Sequence, residues 1–243
     1  GLDQVTWRDV RSGAHLPTPR HGCPVEVNAY WYNALRVMAR LAPLAGEAGA
    51  PYDALAERAG ESFRRAFWMP EERRLRDVIG DVPGHADTQL RCNQVWAVSM
   101  PFTPLTKVQA AAVVDSVRRA LWTPCGLRTL DPGDPEFHGF YGGPQRLRDL
   151  AYHQGTVWPF PLGGYYLAVL RVGGCTPAAC RAVQRDLELL LPALREGCIG
   201  QLPEIYDGGA PGLSRGCFAQ AWSGGELLRA CEAAERPDAA GFE

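Results

Sequence analysis

From residue 24 to residue 47 the chain spaces Val27, Trp31, Ala34, Met38 and Leu41 three or four positions apart. That period marks one apolar stripe along an α-helix, and it predicts a helix that buries this stripe. A second helix is predicted over 51–68, where Pro51 suits a first helical turn and Leu55, Ala59 and Phe63 fall in register. The same spacing predicts helices over 87–100, 103–122, 156–172, 176–196 and 216–235, and a strand only over 73–80.

Seven predicted helices, joined consecutively into antiparallel hairpins, make an all-α protein. The loops differ in kind. Segment 42–50 is short and plain, whereas 123–149 is long and rich in Gly, Pro and aromatic residues. Long irregular loops in a compact domain usually carry function. Hairpins standing side by side would gather those loops at one end and make that end the candidate site. The helices are too dissimilar to form an internal repeat.

Composition narrows the partner. With 46% hydrophobic and 21% charged residues over 243 positions, the chain has the material for one large core and reads as a single domain over 1–243. A net charge of -2 lacks the excess of cations that phosphate-backbone binding needs, so no nucleic acid is expected. The longest apolar run, "FPLGGYYLAVL", is too short and too glycine-rich to span a bilayer of about 30 Å, so no membrane is expected either. No signal-peptide pattern is present, the chain opens on Gly1, and the natural N-terminus is expected to lie upstream. The eight cysteines form no C-x-x-C pair, which suggests reduced thiols in a cytoplasmic protein. His15, His21, His85, His138 and His153 form no H-x-x-x-H pair, so neither a metal nor a cofactor is expected. The doubled glycines at 142–143, 163–164 and 224–225 build no phosphate loop, and no G-x-S-x-G elbow occurs.

Two acids stand out. Asp9 follows Trp7 in "TWRDV", and Glu204 precedes Tyr206 in "LPEIYDG". Glycoside hydrolysis needs two carboxyl groups, one to protonate the departing oxygen and one to activate water or attack the sugar. Aromatic faces complement the C–H faces of a sugar and desolvate a nearby acid. "TPRHGCPVE" adds Arg20 and Glu26, and "AYHQGTVWP" adds Tyr152, His153, Gln154 and Trp158, side chains suited to gripping hydroxyls or stacking on a ring. Each has a structural alternative. Glu26 can favour a helix N-terminus, Trp158 can be core, and His153 can be a satisfied structural histidine.

Seven blocks, "TWRDV", "TPRHGCPVEVNAYWYNALRVMARLA", "RCNQVWAVSMPF", "TPCGLRTLDPGDPEFHGFYGG", "AYHQGTVWPF", "LPEIYDG" and "GCFAQAWS", occur in one order from Thr6 to Ala233. Together they resemble the C-terminal glucosidase region of glycogen-debranching enzymes, the amylo-alpha-1,6-glucosidase family. The resemblance implies an (α/α)6 toroid of helical hairpins around a funnel. It also implies removal of the single glucose at an alpha-1,6 branch of glycogen or another branched alpha-glucan, with inversion and without a metal. It makes Asp9 the general acid and Glu204 the general base, and it makes Trp7, Arg20, Glu26, Tyr152, His153, Gln154, Trp158, Gln220 and Trp222 the glucose subsite.

The chain departs from the family pattern at Arg8, Pro144 and Pro161. A guanidinium beside Asp9 would keep it ionised, the wrong direction for a proton donor, unless Arg8 points away. Seven helices fall short of the twelve that a toroid requires, so the chain is expected to be the later part of the domain, with its remaining part upstream. Other toroid reactions stay open, namely a glucoamylase, trehalase or disaccharide phosphorylase activity. A catalytically inactive glucan-binding fragment is the alternative of another class.

Overall fold

The computed structural model describes residues 6–80, 86–196, 198–210 and 212–242, so His85 lies outside the described residues. Eight α-helices occur among them: α1 (Val25–Leu41), α2 (Ala50–Phe67), α3 (Trp96–Ser99), α4 (Lys107–Ala120), α5 (Gln145–Ala151), α6 (Phe160–Val172), α7 (Pro177–Glu188) and α8 (Ala221–Glu235). Ten short strands accompany them: β1 (Cys23–Pro24), β2 (Trp68–Met69), β3 (Arg74–Leu75), β4 (Val78–Ile79), β5 (Ala86–Asp87), β6 (Trp122–Thr123), β7 (Gly126–Arg128), β8 (Val157–Trp158), β9 (Ile205–Tyr206) and β10 (Ser214–Arg215).

Local chemistry sets the helix ends. Thr106 and Gln109 close a capping box on α4, and Thr176 caps α7 by accepting from the Ala179 N–H. Helices α1, α3, α6 and α8 touch in succession, while α2, α4 and α7 pack behind them, giving an arc two layers deep. Helix α6 is its centre. Every residue from Pro161 to Ala168 is buried, as expected of a helix apolar on all sides.

The structure reverses one expectation. In α1 the buried residues are Val25, Glu26, Ala29, Tyr32 and Leu35, whereas Val27, Trp31, Met38 and Leu41 are exposed, Trp31 to 56%. The helix is apolar on two nearly opposite faces, and a period of 3.6 cannot say which face a neighbour covers. In α2 the buried set is Ala56, Gly60, Phe63 and Phe67, with Leu55 exposed. The predicted helix over 87–100 shrinks to a 3-10 turn at Cys92–Val95 followed by α3, and α5 rises inside the segment read as a loop.

The strands were nearly invisible in the pattern, since most have two residues and none alternates long enough to show a period of 2. Their pairing nevertheless organises the loops. Strands β10-β9-β8-β7-β6 form one antiparallel sheet across loops from distant parts of the chain, with Leu127 opposite Trp158, Val157 opposite Tyr206 and Tyr206 opposite Ser214. A second sheet, β1-β4-β5, pins the start of α1. Among the described residues no helix is long and apolar enough to cross a membrane.

Helix α6 meets α8 at Gly163, where an added Cβ would crowd the Glu226 carbonyl oxygen. Gly163→Ala should therefore force the helices apart and lower stability by about 1–3 kcal/mol, read as a fall in the urea midpoint with helical circular dichroism retained.

Candidate active site

Glu204 is held from three directions. It directly precedes β9, and its N–H donates to the Cys217 carbonyl at 2.8 Å. Its Oε2 accepts from the Cys217 N–H at 3.0 Å, its Oε1 accepts from the Tyr152 hydroxyl, and Gln220 Nε2 lies 3.5 Å from Oε1. Gly216 makes this cradle possible. It has φ +65°, and a Cβ there would collide with Oε2, so neither the turn nor the space admits a side chain. Burial, then the bond to Glu204, pushes the Tyr152 phenol up, so it remains a donor at physiological pH.

Asp9 reaches the same place from the other end of the chain. Its carboxyl is 58% exposed, and Oδ1 lies 3.7 Å from Nε2 of His153, the residue after Tyr152. Contact with the imidazole holds the Asp9 carboxyl below its ordinary range, against the opposing pull of partial burial. His153 is fully buried, stacked on Trp158 at 5.0 Å and edge-on to Trp7 at 5.2 Å. Burial lowers it to about 4, so the imidazole is neutral at physiological pH.

Arg8 turns into the interior. It is buried, donates to the Thr129 carbonyl at 2.9 Å, and places Nη1 3.9 Å from Asp77. Asp77 is the hub of a buried ionic cluster. It accepts from Arg20 and, at 2.9 Å, from Asn93, and Arg91 Nε lies 4.0 Å away. Arg20 also donates to Glu26, and Arg91 pairs with Asp87 at 3.1 Å and donates to the His153 carbonyl at 3.1 Å. The second sheet fixes the hub, since Val25 N–H donates to the Asp77 carbonyl and Asp77 N–H to the Asp87 carbonyl, both at 2.9 Å. Burial draws the Arg20 and Arg91 guanidinium groups down to about 10, which still leaves both charged at neutral pH.

The expected subsite residues thus divide by depth. Trp7, Tyr152, Gln220 and Trp222 reach the surface in part, whereas Arg20, Glu26, His153, Gln154 and Trp158 are buried behind them. Gln154 donates to the Pro17 carbonyl at 2.9 Å, and Trp158 donates to the Tyr152 carbonyl at 3.0 Å, so both brace the loops that carry the acids. Glu26 lies in the first turn of α1, where the helix dipole favours it, and also pairs with Arg20. Sequence reasoning missed Asp77, Arg91, Asn93 and Phe160. Phe160 stacks on Trp222 at 4.4 Å and meets Trp7 edge-on at 5.1 Å. Asn93 could have been suspected from its place in "RCNQVWAVSMPF". Asp77 sat in a stretch read only as a strand.

Two outcomes follow from this buried chemistry. Asp77→Ala leaves three arginines without their shared partner and should cost about 3–5 kcal/mol in denaturant unfolding. For His153 the folded value of about 4 lies below the ordinary 6.5, so the unfolded chain binds that proton more readily between the two. Its contribution is complete above 6.5 and is lost as pH falls from 6.5 towards 4, and His153→Gln should flatten that part of a stability–pH curve.

Known proteins resemble this chain to different extents. The glycogen debranching enzyme of Saccharomyces cerevisiae is 27% identical, over 68% of this chain and 13% of its own length. The neutral trehalase of the same yeast superposes with a TM-score of 0.62 at 18% identity, over 90% of this chain and 40% of that one. A GH63 mannosylglycerate hydrolase from Thermus thermophilus, solved with glucose, gives 0.61 at 21% identity, over 84% and 44%. A family 15 glucoamylase from Hypocrea jecorina gives 0.53 at 15% identity, over 99% and 47%. The fold is accordingly that of the (α/α)6 toroid glycosidases, and the chain spans less than half the length of each of these relatives. Residues 1–229 match the amylo-alpha-1,6-glucosidase family, and the chain belongs to this family of glycoside hydrolases.

Proposed function

We propose that Asp9 and Glu204 form the acid and base pair of an inverting exo-glucosidase that removes alpha-1,6-linked glucose at branch points of glycogen or limit dextrin. One observation carries the reading. Acids from opposite ends of the chain meet the two halves of one dipeptide, Glu204 through Tyr152 and Asp9 through His153. Glu204, oriented by the Tyr152 hydroxyl and the Cys217 N–H, takes a proton from the attacking water. Asp9 gives a proton to the departing oxygen. In the free protein its carboxyl is held low, but a sugar covering its exposed side would desolvate it and raise its proton affinity. The inward turn of Arg8 leaves that rise unopposed from its side. Trp7 supplies an apolar wall, and Trp222 stacked on Phe160 supplies a second. In this reading the buried Arg20, Glu26, His153, Gln154 and Trp158 hold the glucose subsite in shape from behind.

The length of the relatives favours a further element of the reading, that these residues are one part of a larger catalytic domain. The exposed stripe of Val27, Trp31, Met38 and Leu41 would then pack against the remaining part. Free thiols at all eight cysteines fit a cytoplasmic setting.

Inversion fixes the first product. NMR of a branched dextrin digest should show beta-glucose before mutarotation, and alpha-glucose as the initial anomer would sink the mechanism. The two carboxyl groups should stand about 6.5–9.5 Å apart in a sugar-bound crystal structure. Glu204→Gln should lower kcat by about 10²–10⁴-fold while dextrin is still bound, and glucose release should not depend on phosphate.

A further inference from the structure

Around the Glu204 cradle, two large aromatic rings stand in water. Phe140 is 63% exposed and Phe218 is 68% exposed. Isolated exposed apolar residues are ordinary on a protein surface, but both of these are anchored to the Glu204 cradle. Phe218 follows Cys217, whose N–H holds Glu204 Oε2. Phe140 precedes Tyr141, whose N–H donates to Asp207 Oδ1 at 2.8 Å and whose ring lies 5.6 Å from that of Tyr152. Asp207 in turn accepts from Arg215 Nε at 3.1 Å and Nη2 at 3.0 Å, and the Arg215 guanidinium lies 5.2 Å from the Phe140 ring centroid. The Arg215 guanidinium, held by Asp207, therefore orients a ring that remains largely in solvent. Arg215 is balanced by its pairing with Asp207, and the rings beside it suit a neutral ligand with apolar faces.

We propose that Phe140 and Phe218 are stacking platforms for the glucan chain that extends out of the pocket, and that they favour a polymeric glucan over small glucosides. Sugar rings present C–H faces that lie against aromatic planes, and a branched glucan has chain enough to run across the mouth on either side of the bound stub. This proposal rests on the reading of Glu204 as part of a glucan-cleaving site.

The test compares the unmodified protein with Phe140→Ala, Phe218→Ala and the double variant. Affinity electrophoresis through gels containing branched dextrin reads binding without catalysis, and hydrolysis of alpha-glucosyl fluoride reads the pocket without a glucan. The double variant should bind dextrin about tenfold more weakly, the scale of two part-exposed aromatic contacts, with turnover of the fluoride unchanged. Phe140→Tyr, which keeps the ring, should retain binding. Unchanged dextrin retardation in the double variant would overturn the proposal. So would a lowered unfolding midpoint with equal losses on both substrates, because the rings would then be covered by protein rather than by sugar. No glucose from either substrate with the unmodified protein would remove the hydrolytic reading, while ring-dependent retardation would still support the rim.

Discussion

Three arginines share one buried aspartate beneath the candidate site, and the site's geometry hangs on that arrangement. Arg8, Arg20 and Arg91 come from three separate segments and converge on Asp77. Each also does a second task. Arg8 ties the segment bearing Trp7 and Asp9 to the Thr129 carbonyl, Arg20 anchors the entry to α1 through Glu26, and Arg91 holds the backbone of His153. A buried charge without a partner is so unfavourable that the three segments are driven to a single arrangement. Such a cluster adds little net stability compared with a packed apolar core, so its contribution here is positional.

Above the hub, the five-stranded sheet does for the loops what the hub does for the charges. Strand β8 follows the Tyr152–His153 dipeptide and β9 follows Glu204, so the pairing of Val157 with Tyr206 brings both onto one face of the mouth. The helical arc supplies the rigid support, with α6 buried from Pro161 to Ala168 and α8 packed against it at Gly163. Precision at the mouth thus comes from elements other than the helices that define the fold.

That division explains what could be read in advance. Long helices announced themselves through period, caps and prolines, so α1, α2, α4, α6, α7 and α8 each begin or run within a predicted segment. The face that α1 buries was not legible, because both faces are apolar and only the neighbours decide. Two-residue strands carry no period, so the sheet that assembles the site left no trace in the pattern. Asp9 and Glu204 stand out in the sequence through the aromatic residues around them and through family resemblance. Asp77 and Arg91 escaped because an acid in a strand and an arginine before a helix look like ordinary surface residues until folding buries them.

The laced construction of the mouth has a consequence for how such a scaffold diversifies. Neighbouring loops are joined by very few rungs, down to the single pairing of Val157 with Tyr206. A loop tip between two rungs can lengthen, shorten or change its residues without moving the rungs on either side. Substrate choice can then drift loop by loop through insertions at the tips, while the carboxyl pair and the helices beneath it stay in place.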